Sequence, residues 1–238
     1  MNICLIGYGK MGKAIELILT ERGHSISGIV HRTNISDLAL ILSKSDAAIE
    51  FTGPESAYDM IIQCFNAGIP VVSGSTGWLD HWDEMLAHQS ITNGTLLWAS
   101  NFSIGVNLFF EINKLLAKLS QYQKEYSYSI QEIHHTAKLD VPSGTALTLV
   151  SDILENHQGY EGWILDPQQH QDKLIPVEAK REGNVIGYHK VKIEGPNDQI
   201  TLIHEAFNRN GFALGSVIAA EWIKEKKGIF SMADLLQF

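Results

Sequence analysis

Directly after a short, mostly apolar run, Asn2 to Ile6, the chain reads Gly7-Tyr8-Gly9-Lys10-Met11-Gly12; then Ala14, Leu17 and Ile18 recur at helical spacing. A G-x-G-x-x-G turn between a strand and a helix admits few architectures. The first glycine permits the tight turn, the second lets a pyrophosphate approach the backbone, and the third lets the helix pack closely on the strand. The same alternation continues. Ser25 to Val30 reads as a strand, Ile35 to Leu42 as a helix, Ala47 to Phe51 as a buried strand, and Ser56 to Ala67 as a helix ended by Gly68. Ile69 to Val72 and Thr95 to Ala99 are strands on either side of a helical Asp80 to His88. Strands alternating with helices predict a parallel sheet covered on both faces. Small and polar residues collect where the strands end, at Thr52 to Glu55, Ser73 to Gly77 and Asn101 to Gly105. Sheets of this kind bind ligands at those carboxyl ends.

The second strand runs into His31-Arg32, where an NAD-specific site usually presents Asp or Glu. Arg32, with Lys10, suits the 2′-phosphate of NADPH; the plainer reading is a solvated loop arginine. NADPH is favoured and NADH stays open.

A different kind of segment stands at Glu132 to Ala146, EIHHTAKLDVPSGTA. Tyr126 to Ile130 alternates like a strand, and Leu147, Val150 and Leu154 recur like a helix, so the polar stretch joins a strand to a helix. Ser143 is placed to be the N-cap, with the Gly144 and Thr145 N–H groups in the first turn, where the helix itself offers them no carbonyl. Such a helix start binds anions, and Gly144 lets a ligand come close. Lys138 adds a positive charge, and His134 and His135 are of the residue type that exchanges protons near neutral pH. Each has a plain structural reading: a capped helix start, a solvated loop, a turn aspartate at Asp140. No metal is expected, because adjacent strand residues face opposite ways and no third ligand stands at a diagnostic spacing.

Further on, Leu174 to Lys180, Val185 to Glu194 and Gln199 to Phe207 read as strands, with Gly195 to Asp198 turning between the last two. Long strands after one helix predict an open sheet whose uncovered face self-associates. Gly159 to Asp172 reads as a polar, mobile loop; Phe212 to Trp222 and Met232 to Leu236 read as helices.

Composition excludes several alternatives. A net charge of −9 without any basic block argues against nucleic acid and anionic membrane. No apolar run is long enough to span a bilayer, and the first residues lack signal-peptide organisation. Cys4 and Cys64 read as reduced core residues of a cytoplasmic protein.

These motifs together resemble the 4-hydroxy-tetrahydrodipicolinate reductase family, long called dihydrodipicolinate reductase, nearly from end to end. GKMG is similar to the family's G-[RK]-M-G turn, Phe51-Thr52 with Pro54-Glu55 to D-F-T-x-P-E, Gly74 to Gly77 to G-T-T-G, and Asn101 to Asn107 to N-[FY]-S-[IVL]-G-V-N. HHTAKLDVPSGTA is close to the signature H-H-x-x-K-x-D-A-P-S-G-T-A, and Arg181, Gly183, Gly187 and His189 fit R-x-G-x-x-x-G-x-H. The chain departs at Glu50, often Asp, and at Val141, usually Ala. Its glycine turn lacks one leading glycine, and its segment from Arg32 to Ala47 is short.

The resemblance implies an α/β fold with two domains. Residues 1–104 and 208–238 would form a Rossmann-like, doubly wound dinucleotide-binding domain. Residues 105–207 would form an α+β substrate-binding and tetramerisation domain with an open mixed sheet. It implies reduction of a cyclic imine dicarboxylate by NADPH or NADH, with loss of water, in the diaminopimelate route to lysine, by a homotetramer. By position in the signature His134 and Lys138 are the catalytic pair, and His135, Ser143, Gly144 and Thr145 bind substrate. Gly7, Gly9, Lys10, Met11, Gly12, Arg32, Phe51, Thr52, Gly74, Ser75, Thr76, Ala99, Ser100, Asn101 and Phe102 bind cofactor. Two alternatives stand beside it: another amino-acid-type dehydrogenase on the same plan, and a non-catalytic nucleotide-sensing module.

Overall fold

Apolar strands with no alternation belong in a sheet buried on both faces, and the first unit of the chain is built on one. Strands β1 (Asn2–Ile6), β2 (Ser25–Val30), β3 (Ala47–Glu50), β4 (Val71–Ser73), β5 (Thr95–Trp98) and β11 (Gly228–Phe230) form an all-parallel sheet in the order β11-β5-β4-β3-β1-β2. β3 and β4 are buried at every position. Helices α1 (Lys10–Glu21), α2 (Leu38–Leu42), α3 (Ala57–Asn66), α4 (Trp82–Thr92), α7 (Asn210–Ile223) and α8 (Met232–Leu236) belong to this unit. Two apolar clusters result. One sets Leu5, Ile15 and Leu19 with Val217 and Ala220; the other sets Cys4, Leu38 and Leu42 with Ile61 and Phe65. Both cysteines are free and buried. β11, too short and too mixed to stand out by pattern, extends the sheet beside β5.

The computed structural model describes residues 1–165 and 171–238, in two units: Met1–Ile104 with Arg209–Phe238, and Gly105–Asn208. Among the described residues no helix is long and apolar enough to cross a membrane.

The second unit holds a mixed sheet of β6 (Ser127–His134), β7 (Gly162–Leu165), β8 (Leu174–Arg181), β9 (Gly187–Glu194) and β10 (Gln199–Ala206), in the order β10-β9-β6-β8-β7. β9 runs antiparallel to both neighbours, and β6, β8 and β7 run parallel. Here alternation is clear: Tyr128, Ile130, Val177, Val191 and Ile193 point inward, onto α5 (Ile104–Ser120) and α6 (Gly144–Asn156). Two expectations are corrected. The sheet is covered by two helices rather than one, because Ile104 to Ser120 forms a 17-residue helix where the sequence predicts only a turn at Asn101 to Gly105. Gly162–Leu165 lies in the stretch expected to be loop, yet pairs in parallel with Leu174–Val177. The rest of that stretch includes residues 166–170, which lie outside the described residues.

One buried carboxyl in the α5–α6 core gives a test by pH. Asp152 is 5% exposed, and burial raises its pKa from the usual carboxylate range to about 7, against the opposing pull of Lys114 at 4.0 Å. The folded state therefore holds this proton more tightly than the unfolded chain. Stability should fall as pH rises from about 4 to about 7 and level off above. Asp152→Asn is expected to be the more stable protein at pH 8, by on the order of 1–3 kcal/mol, and no more stable near pH 4. Thermal melts of both proteins at the two pH values check this; equal melting temperatures at pH 8 would contradict it.

Candidate active site

In the first unit, register alone brings four of the sequence-predicted cofactor residues, Gly7, Phe51, Gly74 and Ala99, to one line. Ile6 is level with Val30 and Glu50, Glu50 with Ser73, and Ser73 with Trp98. The residues just past these, Gly7, His31, Phe51, Gly74 and Ala99, therefore share one edge. The chain switches sides at β1, which has β2 on one flank and β3 on the other; such a switch point leaves a crevice for a ligand. Each glycine of the turn has a separate cause. Gly7 has φ +93°, and a Cβ there would lie 2.3 Å from the Phe51 carbonyl oxygen. A Cβ on Gly12 would lie 2.3 Å from the Gly7 carbonyl oxygen, while one on Gly9 would meet nothing within 4 Å. The open face at Gly9 is what a pyrophosphate needs, so the turn fits a dinucleotide. Lys10, Arg32, Thr52, Thr76 and Ser100 are exposed, and Met11 and Asn101 are half-buried. Phe102 is 2% exposed and packs against the Phe51 ring at 5.9 Å, so its side chain supports that edge from below.

Glu50, noted in the sequence only as a departure from Asp, proves to be the fastening of this edge. Its carboxyl group is fully buried and accepts from Thr52 N–H (2.6 Å), Thr52 Oγ1 (2.6 Å), Ser73 Oγ (2.5 Å) and Ser75 Oγ (2.7 Å). Ser75 is thus turned into the protein.

In the second unit the alternation that buries Tyr128 and Ile130 also buries Glu132 and His134. Glu132 lies opposite His189 on β9, and His134 opposite Arg181 on β8. The four meet. Glu132 Oε1 accepts from Ser143 N–H (3.0 Å) and Arg181 Nη2 (3.1 Å); its Oε2 stands 3.3 Å from His134 Nδ1 and 3.7 Å from His189 Nε2. Burial by itself would raise the Glu132 carboxyl, but hydrogen bonds from His134, Ser143 and Arg181 outweigh it and bring the pKa down to about 2. His189 goes the other way. Burial, then the neighbouring His134, push it down to about 3, so it stays neutral, with Nε2 3.2 Å from Ser143 Oγ. His134 Nε2 faces Gly187, where an added Cβ would lie 3.3 Å away.

The loop beyond is clamped to this node. Arg181 also donates to the carbonyl oxygens of Lys138 (Nε, 3.2 Å) and Asp140 (Nη2). Ser143 caps α6 as expected, its Oγ accepting from Ala146 N–H. Gly144 is exposed with open space where a side chain would stand, and Thr145 is half-buried. Lys138 Nζ pairs with Asp140 Oδ1 at 2.8 Å. His135 lies just past the strand end, half-buried, whereas His134 is buried.

Glu132, His134 and His189 each offer a ligand atom, all within 4.8 Å of one another. The third member was invisible to spacing because it comes from β9. Arg181 pairs with the other oxygen of the Glu132 carboxylate and supplies it a counter-charge. Glu132, Arg181 and Glu50 carry no role in the sequence reading. The one available signal was the i, i+2 spacing of Glu132 and His134, which places them on one face of a strand.

The family model described as "Dihydrodipicolinate reductase, N-terminus" matches residues 1–102, and "Dihydrodipicolinate reductase, C-terminus" matches residues 105–236. A curated relative from Christiangramia forsetii, named 4-hydroxy-tetrahydrodipicolinate reductase, is 45% identical over 99% of this chain and 98% of its own. One of the same name from Natronomonas pharaonis is 32% identical over 95% and 96%. The solved structure titled "Dipicolinate bound Dihydrodipicolinate reductase from Paenisporosarcina sp. TG-14" shares the fold, with TM-score 0.77 at 22% identity over 97% of both chains. Matched in both halves by the family model and along nearly its whole length by these relatives, the chain belongs to the dihydrodipicolinate reductase family.

Proposed function

We propose that the loop from His134 to Thr145 holds the dicarboxylate substrate of this reductase and delivers the proton that completes its reduction. Membership of the family makes the chain an NAD(P)H-dependent oxidoreductase acting on 4-hydroxy-tetrahydrodipicolinate, a step of lysine and diaminopimelate biosynthesis. The observation that carries the site assignment is that one loop, clamped by Arg181, carries the Lys138 ammonium, His135 and the open start of α6.

The α6 N–H groups at Gly144 and Thr145 take one substrate carboxylate. Lys138 serves the reacting side. Its pairing with Asp140 is partly exposed, with the aspartate side chain 55% open, so releasing it costs no more than about 1 kcal/mol. The ammonium is then free to turn to substrate and to give up a proton there, while His134 stays in the buried node. When bound, NAD(P)H supplies the hydride. Gly7, Gly9, Lys10, Met11 and Gly12 would hold its pyrophosphate, and Arg32 its adenosine side. Phe51, Thr52, Gly74 to Thr76 and Ala99 to Phe102 would lie along its nicotinamide side. Dipicolinate, the ligand bound by the solved relative, is a stable dicarboxylate for probing the substrate site. On the mixed sheet the face carrying Ser129, Gln131, Ile133 and Lys190 lies opposite the helices and is half-exposed. A homotetramer assembled through it, in the cytoplasm, completes the reading.

The test follows nicotinamide absorbance with freshly prepared 4-hydroxy-tetrahydrodipicolinate, first with NADPH and then with NADH. Turnover is expected with wild type. Arg32→Ala is expected to raise KM for NADPH about tenfold or more, as loss of a charge-assisted phosphate contact does, with little change for NADH. Cofactor binding without oxidation would instead identify a nucleotide-sensing module.

A further inference from the structure

We infer that Glu132 is a positioning residue: one buried carboxylate sets the mutual geometry of Lys138, His134 and the anion-binding start of α6. The inference rests on the substrate-site assignment above.

The loop between β6 and α6 meets this group at both ends. At its far end, the Ser143 N–H donates to Oε1 at 3.0 Å, which fixes where the capping residue stands and therefore where the Gly144 and Thr145 N–H groups aim. At its near end the link passes through Arg181. The guanidinium binds Oε1 at 3.1 Å and with its remaining donors grips the carbonyls of Lys138 and Asp140. Backbone positions 138, 140 and 143 are thus referred to one oxygen atom. The other oxygen, Oε2, lies 3.3 Å from His134 Nδ1. The other ring nitrogen, Nε2, lies at the Gly187 side. Around His134 stand Glu132 on its own strand, His189 on β9 and Arg181 on β8, with Lys138 and Asp140 on the loop that Arg181 holds.

Stability alone does not account for a charge here. Glu132 is 0% exposed, and a buried ion pair returns little net stability against apolar packing of the same volume. What it provides is direction: one carboxyl group takes the Ser143 N–H and Arg181 Nη2 on Oε1 and faces His134 Nδ1 and His189 Nε2 with Oε2. Catalytic geometry that loosens by about 1 Å costs on the order of 10²-fold in rate.

The test compares wild type, Glu132→Gln, Glu132→Asp, Lys138→Ala and the double variant Glu132→Gln/Lys138→Ala. Three readings are taken: dipicolinate affinity by calorimetry, NADPH affinity by fluorescence, and steady-state rates. Expected for Glu132→Gln are a loss of dipicolinate affinity of about tenfold and a kcat about 10²-fold lower, with NADPH affinity within twofold of wild type. In the Lys138→Ala background the same change should cost less in kcat, because the lysine being positioned is gone, while the part of the dipicolinate loss that runs through the start of α6 remains. Glu132→Asp keeps the charge for Arg181 and should recover part of both losses; it also serves if the glutamine variant fails to fold. A glutamine or aspartate variant that keeps dipicolinate affinity and kcat within threefold of wild type overturns the inference. So does a full, undiminished loss of kcat in the Lys138→Ala background, which marks a general structural defect. Should wild type itself neither bind dipicolinate nor turn over, the substrate-site assignment fails first and the inference with it.

Discussion

Lys138→Ala is expected to lower kcat/KM for 4-hydroxy-tetrahydrodipicolinate by about 10²–10⁴-fold, the range seen when a proton donor or a charge aimed at the reacting centre is removed. The fold should survive, since the Lys138 side chain is a quarter exposed and pairs with the more open Asp140. Losing a surface pair of this kind changes stability by less than about 1 kcal/mol. NADPH affinity should not change, because the glycine turn and Arg32 lie in the other unit. Lys138→Arg separates the two jobs of the side chain. Arginine keeps the charge and can bind a carboxylate, but holds its proton too tightly to release it near neutral pH. If Lys138 delivers the proton, the arginine variant should keep KM within a few-fold of wild type and lose kcat almost as fully as alanine. If the lysine only clamps a carboxylate, arginine should restore most of the rate. An alanine variant within tenfold of wild type in kcat/KM would move proton delivery away from Lys138 and toward His134.

How much of this was legible in the sequence depends on the distance over which each signal is written. The parallel sheet was readable because its strands are short, apolar and separated by helices. The turn at Gly7 to Gly12 was readable because three local steric demands coincide. Ser143 was readable as a cap because capping is decided within four residues. α5 was not readable, and the reason lies in its surface. It buries Val106, Phe109, Phe110 and Ala117 and leaves Leu108, Ile112, Leu115 and Leu119 exposed, so apolar residues occupy two faces and no single stripe emerges. β7 is four residues long and half-exposed throughout, and only its pairing with β8 makes it a strand. The node around Glu132 is a product of register. β6, β8 and β9 are far apart in the chain, and which of their residues sit side by side follows from pairings that no local pattern encodes. Family resemblance marked Arg181 and His189 as a pattern, but not what they touch.

Glu50 shows the same limit in the first unit, and the consequence of replacing it is large. The register of β3 on β4 sets Glu50 level with Ser73, and the turn after β4 brings Ser75 back to it. Ser73 is 0% exposed and Ser75 6%, so removing the acceptor strands their hydroxyls where water does not reach. Each buried group left without a partner costs about 1–3 kcal/mol. Glu50→Leu is therefore expected to destabilise the protein by about 3–5 kcal/mol, lowering Tm by on the order of 10 °C. The turns carrying Thr52 and Ser75 should loosen with it, and NADPH affinity should fall at temperatures where the protein is still folded. Glu50→Gln keeps the shape and one acceptor oxygen; serine and threonine hydroxyls can turn to accept from its amide, so its cost should be nearer 1–2 kcal/mol. Glu50→Asp, which has the residue type the family often shows here, draws the carboxyl back by one methylene and should cost less than leucine. Thermal melts with and without saturating NADPH, read for all three variants, decide the matter. A leucine variant melting within about 2 °C of wild type would mean that the hydroxyls find other partners, and that the carboxyl edge of this sheet is held by its strands alone.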